Sequence, residues 1–335
     1  MNNSSKSVYV IAEMASSHQG DVEEVYRLID GAKNANVDCL QVQIFNLKAN
    51  ASSNSKNYQI LQNLEIKYSD WKNIIDYIEQ INMEYSVFTY DEPSLDYVLA
   101  NFKPNMIKFN SSELSNPKML EKISNYPNIK LNLGTGGSSF FEIDRAINYL
   151  KHRGFINIFL AHGIQNFPTE IKDINFPKMK EMINRYDEQI IFADHTDFKS
   201  TNHKYIDYIA LGMGIKIFEK HFILQNNSNY IDNESSLNLE NLEEYVNNLK
   251  IVNTSLLSNK SIKKSEEEYR KFQKKSTFLE KNIQKGELIL LEDVSFKRDV
   301  GNDEGIDPFM FIDKFQNRKI NKNKKANSKL SLSDF

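Results

Sequence analysis

The chain has 335 residues and a mass of 39.0 kDa, is 40% hydrophobic and 26% charged, and carries a formal net charge of −3. That balance, with a pI near 6.1, offers no basic surface for nucleic acid, and one cysteine excludes an intramolecular disulfide framework and a cysteine-rich zinc site. No apolar run reaches the ~18 residues of a membrane helix and the polar start MNNSSKS does not read as a signal peptide, so a cytoplasmic soluble protein is expected.

In chain order, short apolar strands alternate with amphipathic helices. The strands are SVYVIAEM, CLQVQIF, EYSVFTY, MIKFNS, IKLNLGT, NIFLAHG, QIIFADHT and IKIFEKHFIL. Val25, Leu28, Ile29 and Ala32 follow the i, i+3, i+4, i+7 spacing of a helix face, as do Trp71, Ile74, Ile75 and Ile78. Further helices are expected near Pro93, Pro117, Phe140, Pro177 and Thr201, with a last one over LENLEEYVNNLKIV. Eight strand–helix repeats over roughly 250 residues predict a (β/α)8 TIM barrel. A doubly wound open sheet is the alternative, and no G-x-G-x-x-G turn follows the first strand to support it. Cys39 stands where a buried strand begins and reads as a small core residue.

The barrel is expected to span residues 1–257. Residues 258–275 are polar and charged and read as a linker, part of it helical. From 276 to 335, short β-like runs and a Lys-Gly turn predict a small β-rich domain ending in a solvated, Lys- and Asn-rich tail.

In such a barrel the chemistry sits at the carboxyl ends of the strands. The polar residues concentrate there: Glu13; Gln41 and Gln43; Lys108, Ser111 and Glu113; GTGGSS at 134–139; His162 and Gln165; Asp194 and His195; and Glu219, Lys220 and His221. Four of the six histidines, His18, His162, His195 and His221, are expected at this rim. Imidazoles suit a divalent transition ion, and His195 and His221 lie on neighbouring strands. GTGGSS reads either as a backbone cradle for an anion or as a tight strand–helix turn. Lys108, inside an apolar strand, must meet an anion to be buried. In FEKHFIL, alternation sends Glu219 and His221 to one face, the inward one if His221 is a ligand. Lys220 is expected to pair with a carboxylate at the barrel floor or rim. The residues alone suggest a metal-assisted barrel enzyme for a phosphorylated or carboxylated substrate.

IAEMASSHQGD at 11–21, QVQIF at 41–45, IKFNSSEL at 107–114, LGTGG at 133–137, HGIQNFPT at 162–169, ADHT at 193–196 and FEKHFIL at 218–224 resemble the sialic acid synthase family, in order and spacing. KNIQKGELILLEDVSFKR resembles the antifreeze-protein-like (SAF) domain that follows the barrel in that family. The resemblance implies condensation of phosphoenolpyruvate with an N-acyl amino sugar, such as N-acetylmannosamine or a diacetamido-hexose, to a nine-carbon 2-keto acid with release of phosphate. It implies that His195 and His221 hold manganese or magnesium, and that Glu13 and Asp232 are catalytic. Gln43, Lys108, Ser111, Thr135 and Gln165 become substrate contacts. Arg298 is implied to reach the sugar across a homodimer interface, with the C-terminal domain capping the partner's site.

The chain also departs from the family pattern. The second-strand K-F-Q reads Gln41-Val42-Gln43, removing a cation for the phosphoenolpyruvate carboxylate; the third-strand S-T-P-F reads Val87-Phe88-Thr89-Tyr90. Gly134 and Ala193 stand where serines are usual, and Phe167 where a tyrosine is usual. Each lost hydrogen bond or charge is worth about 1–3 kcal/mol where buried. Gln165 and Thr89 are candidates to compensate. Two other readings are a relative with a changed donor or aldose, favoured by Gln41, and a non-catalytic sugar-binding homologue, disfavoured by Glu13, His195, His221 and Asp232.

Overall fold

In the computed structural model, residues 7–225, 230–257, 261–298 and 305–335 are described. The chain divides into two units, Met1–Ser258 and Asn259–Phe335. The first begins with β1 (Tyr9–Glu13), α1 (Val22–Asn34), β2 (Cys39–Ile44), α2 (Leu47–Asn50), α3 (Tyr58–Leu64) and α4 (Tyr68–Gln80). It continues through β3 (Tyr85–Thr89), α5 (Glu92–Asn101), β4 (Met106–Phe109), α6 (Pro117–Ser124), β5 (Leu131–Gly134) and α7 (Phe140–Lys151). Then follow β6 (Ile158–His162), α8 (Phe176–Arg185), β7 (Gln189–Asp194), α9 (His203–Gly212), β8 (Ile217–Phe222), β9 (Ser236–Leu237) and α10 (Leu239–Thr254).

Strands β1 to β8 pair in parallel and in sequence order, and β8 returns to β1 with Tyr9 opposite Ile217 and Glu13 opposite His221. The sheet is therefore closed, a (β/α)8 barrel. The helices start where their sequences say they should. Asp21, Asp91, Asn116, Ser139 and Asn175 each cap a helix by accepting an N–H from its first turn. The predicted stripes on α1 and α4 are all buried against the strands.

Alternation divides each strand between two cores. Outward residues such as Val10, Leu40, Val42, Val87, Ile107 and Leu133 pack under the helices. Ile11, Cys39, Met106, Ala161 and Ile191 fill the lower barrel interior. Above that apolar plug the inward positions turn polar, which places the chemistry at the carboxyl-end mouth. Two features went unpredicted: the short helices α2 and α3 between β2 and α4, and β9, whose Ser236 pairs with His221. The β9 pairing draws the segment containing Asp232 toward the eighth strand.

The second unit contains α11 (Lys264–Gln273), with no buried residue, then β10 (Lys275–Leu279), β11 (Leu288–Ile289), β12 (Val294–Arg298) and β13 (Arg318–Lys319). β10 pairs antiparallel with β12, and β11 with β13. Leu279, Ile283, Ile289, Ile306, Phe311, Ile320 and Leu330 form its own core. Positions 258–260 of the expected linker lie outside the described residues. No helix among the described residues is long and apolar enough to cross a membrane.

Candidate active site

At the carboxyl end of β1, Glu13 is a buried hub. Its Oε1 accepts from Gln43 Nε2 at 2.7 Å, its Oε2 accepts from Lys108 Nζ at 3.1 Å, and His221 Nε2 stands 3.6 Å from Oε2. Lys108 also donates to Glu219 Oε1 at 2.5 Å, and its ammonium lies 4.5 Å from the Phe88 ring centroid. Lys108 is thus buried because two internal carboxylates meet its charge, as burial of a cation demands. Burial would raise the Glu13 carboxyl, but Lys108 and then His221 hold it well below the usual range. Burial also acts on Glu219, and with the Glu13 charge beside it outweighs Lys108 to push that carboxyl up to about 7.

Glu219 and His221 share one face, as alternation predicted, and it is the inward one. Glu219 is fixed from below by Gln41 Nε2 at 3.2 Å, and Gln41 in turn accepts from Ser86 Oγ at 3.2 Å. Gln41 is fully buried and does not line the cavity at the mouth.

His195 and His221 converge, with ring centroids 4.8 Å apart. His195 Nδ1 lies 2.9 Å from the Ile164 carbonyl and donates to it, which leaves Nε2 with a lone pair. Burial and the neighbouring His221 lower the His195 pKa to about 3, so this imidazole is neutral. Burial works against a charge on His221, yet Glu13 more than offsets it and raises its pKa. Its Nδ1 is buried without a hydrogen-bond partner. Two imidazoles, each with a nitrogen that has no hydrogen-bond partner among the described residues, could hold a divalent ion whose other positions are filled by substrate or water oxygens. No group of three His, Cys, Asp or Glu among the described residues is arranged to hold a metal by itself.

Asp232 lines the same cavity in a left-handed conformation, φ 62°, which aspartate tolerates. Its backbone carbonyl accepts from Ser236 Oγ at 2.8 Å, while its carboxylate keeps no hydrogen-bond partner among the described residues. Burial raises that carboxyl despite His221 nearby.

The cavity measures about 360 Å³ and takes in Glu13, Gln43, Lys108, Ser111, Gln165, His195, His221 and Asp232. Not every expected residue is there. Thr135 is fully buried, its hydroxyl donating to the Ala161 carbonyl at 2.8 Å, and it does not line the cavity. His18 turns toward Trp71 and accepts from the Gly20 N–H at 3.0 Å, and His162 stacks on Phe192 and bonds the Ile174 carbonyl. Two of the four rim histidines are thus structural. Lys220 faces outward, not the barrel floor or rim: it pairs with Asp194 of its neighbour strand and with Asp207 of α9 at 3.5 Å. Arg298 is an exposed residue at the end of β12 in the second unit. At GTGGSS the helix end is already met by a carboxylate, since Glu142 accepts from the Ser139 N–H at 2.7 Å in a capping box. A Cβ on Gly136 would stand 2.6 Å from the Gly163 carbonyl, so glycine here lets this segment approach the one that follows β6.

Sequence reasoning missed the aromatic lining. Phe167 lies over both histidines, with centroids 4.5 Å from His195 and 5.7 Å from His221. Phe88 and Tyr90 stack at 4.3 Å, and Tyr90 meets Phe45 edge-on at 6.3 Å. Alternation along β3 would have put Phe88 and Tyr90 on the inward face with Ser86. For Phe167, in a loop, no such signal exists.

Residues 28–261 match the model of the NeuB family. An uncharacterized protein of Methanocaldococcus jannaschii is 27% identical over 87% of this chain and 84% of its own length. The N,N'-diacetyllegionaminic acid synthase of Campylobacter jejuni is 26% identical, over 88% of this chain and 91% of its own. Among solved structures, the N-acetylneuraminic acid (sialic acid) synthetase of Leptospira borgpetersenii superposes with a TM-score of 0.72 at 22% identity, covering 79% of this chain and 92% of that one. That likeness carries the fold.

Proposed function

The chain belongs to the NeuB family, and from the site it carries we propose that it is a nonulosonic acid synthase, condensing phosphoenolpyruvate with an N-acyl amino sugar. The observation that carries this reading is the convergence of Glu13, His221, His195 and Asp232 at the carboxyl-end mouth of a closed barrel. The relative from Campylobacter jejuni, a diacetyllegionaminic acid synthase by name, supports the same class of product.

In this reaction C3 of phosphoenolpyruvate bonds to the aldehyde carbon of the open-chain sugar, and the aldehyde oxygen takes a proton. Water adds at C2, and the C2–O bond to phosphate breaks as the 2-keto group forms. A manganese or magnesium ion held by His195 and His221 supplies Lewis-acid polarisation of the aldehyde when bound. Glu13 is tied to Gln43 and Lys108, so it orients Gln43 and His221 and keeps a negative charge at the mouth. Asp232, whose carboxylate has no hydrogen-bond partner among the described residues, is proposed to exchange protons with the attacking water or the sugar. Phe167 shields the histidines from bulk water. Ser111 and Gln165 line the cavity as polar contacts for substrate. The second unit is proposed to be the antifreeze-protein-like domain of the family, with Arg298 completing the site of a partner subunit in a cytoplasmic homodimer.

The test is the product. Incubation with phosphoenolpyruvate, N-acetylmannosamine and manganese in ¹⁸O-labelled water is expected to yield a nine-carbon 2-keto acid and inorganic phosphate free of label, both found by mass spectrometry. Phosphate that carries one labelled oxygen, the mark of P–O cleavage, would overturn it.

One observation favours a second reading, a changed donor. Lys108 is the one lysine or arginine among the described residues lining the cavity, and Glu13 and Glu219 already share its charge. Gln41 brings no cation. If another three-carbon donor is used, that incubation leaves phosphoenolpyruvate untouched, and a parallel incubation with the alternative donor in its place consumes that donor with the sugar.

A further inference from the structure

Resting on the synthase reading, we propose that Tyr90, Phe45 and the two leucines of α3, Leu61 and Leu64, form a subsite for the N-acyl group of the sugar, with the Tyr90 hydroxyl donating to the acyl carbonyl and the apolar side chains enclosing its methyl.

The cavity is lined by two kinds of side chain, the charged and polar group of Glu13, Asp232 and the histidines and a group of apolar and aromatic residues. A run of ring contacts leads from Lys108 into the second group: the ammonium over Phe88 at 4.5 Å, Phe88 stacked on Tyr90 at 4.3 Å, and Tyr90 edge-on to Phe45 at 6.3 Å. Leu61 and Leu64 of α3 line the same cavity, Leu64 buried and Leu61 half-buried. A cavity lined by both apolar side chains and a charged centre suits a ligand that carries a small apolar group beside its reacting carbon.

The wall is built, not loosely draped. Asn46 N–H donates to Asp91 Oδ2 at 2.8 Å and Leu47 N–H to Glu65 Oε1 at 2.7 Å, which pins both ends of the excursion that carries α2 and α3. From the other side Gly20, at φ 82°, comes so close that a Cβ there would stand 2.0 Å from the Asn63 carbonyl. Only glycine permits this approach, and it fixes the end of α3 that bears Leu64.

Tyr90 adds the polar element. Its hydroxyl has no hydrogen-bond partner among the described residues, although the ring lines the cavity and is held on two sides by Phe88 and Phe45. A phenol held in this way offers one donor at a fixed place beside apolar carbon. An N-acyl group matches both, since it presents one strong acceptor next to a methyl.

The experiment is equilibrium binding to the full chain, by calorimetry and by saturation-transfer NMR, of N-acetylmannosamine, mannose and a 6-deoxy analogue of the acetamido sugar. The wild type is expected to bind N-acetylmannosamine about tenfold more tightly than mannose, with the acetyl methyl protons most strongly saturated. Tyr90→Phe and Leu61→Asn, each checked for an unchanged melting temperature, are expected to erase that preference and leave mannose binding unaltered. Equal binding of the two sugars by the wild type, or a preference that survives both substitutions, overturns the proposal. So does a preference for the 6-deoxy sugar that Leu61→Asn abolishes, because the wall would then hold C6. Phosphate release is scored separately. Acyl preference without any turnover would sink the synthase reading and leave the subsite standing.

Discussion

The Phe167 ring lies nearly parallel to the His221 imidazole, at an interplanar angle of 11° and a centroid separation of 5.7 Å. It also touches His195, yet it is 45% exposed, so it covers the histidine pair from the solvent side without belonging to the core. Phe167→Ala is expected to leave stability within about 0.5 kcal/mol, as for other surface positions. Turnover is expected to fall by roughly tenfold as water reaches the histidines. Thermal melting and steady-state kinetics on the same preparation check this. Unchanged kinetics would mean that the ring merely rests there.

Lys108 holds two carboxylates. Lys108→Met leaves Glu13 and Glu219 buried without their shared cation, and a loss of about 3–5 kcal/mol is expected. Adding Glu219→Gln removes one of the stranded charges and is expected to recover part of the stability but none of the activity. Urea denaturation of the single and double variants measures both steps; a double variant no more stable than the single would refute the shared-charge account.

Lys220 should give a similar stability loss for a different reason. It bridges Asp194 and Asp207 on the outer face of the barrel, under α9 and away from the cavity. Lys220→Met is expected to cost about 3–5 kcal/mol. Substitution of Asp207 as well, Lys220→Met with Asp207→Asn, should return some of it. A single-variant loss under about 1 kcal/mol would show that the cluster is not a buried network.

How these residues divide between chemistry and structure was only partly readable beforehand. Period-two and period-3.6 patterns carried the barrel, because its strands are largely apolar outside and its helices are cleanly striped. Parity put Glu219 and His221 on one face, and the choice of the inward face rested on His221 being a ligand. The same parity, applied to β6 and β5, would have excluded two other candidates: Ala161 and Gly163 point inward, so His162 cannot, and with Gly134 inward Thr135 faces the helices. His18 lies in a loop where parity has no force. Lys108 was legible as a buried cation needing an anion, but not that its anions are Glu13 and Glu219, which come from distant strands. Phe167 and the α2–α3 excursion depend on loop geometry, which no period encodes.

In the second unit, Asp334 is buried and bound by Lys322 at 2.7 Å and by Lys324. Despite burial, these partners lower its carboxyl below the ordinary range. A depressed carboxyl contributes stability that is fully present above the unfolded value of about 3.9 and is lost as pH falls through the lower folded value. Amide exchange of residues 318–335, corrected for intrinsic rates, is expected to accelerate in that acid window. Asp334→Asn should be less protected at neutral pH and show a flatter acid dependence. Equal acid sensitivity in the variant would place the titrating group elsewhere.

The central claim is carbon–carbon bond formation at the Glu13–His221–His195 mouth. Its most direct test is phosphate release from phosphoenolpyruvate with manganese across a panel of N-acyl hexosamines and diacetamido-hexoses. Release that requires both sugar and metal, and that disappears in His221→Ala, is the predicted result. No release with any sugar from folded, metal-loaded protein would contradict it.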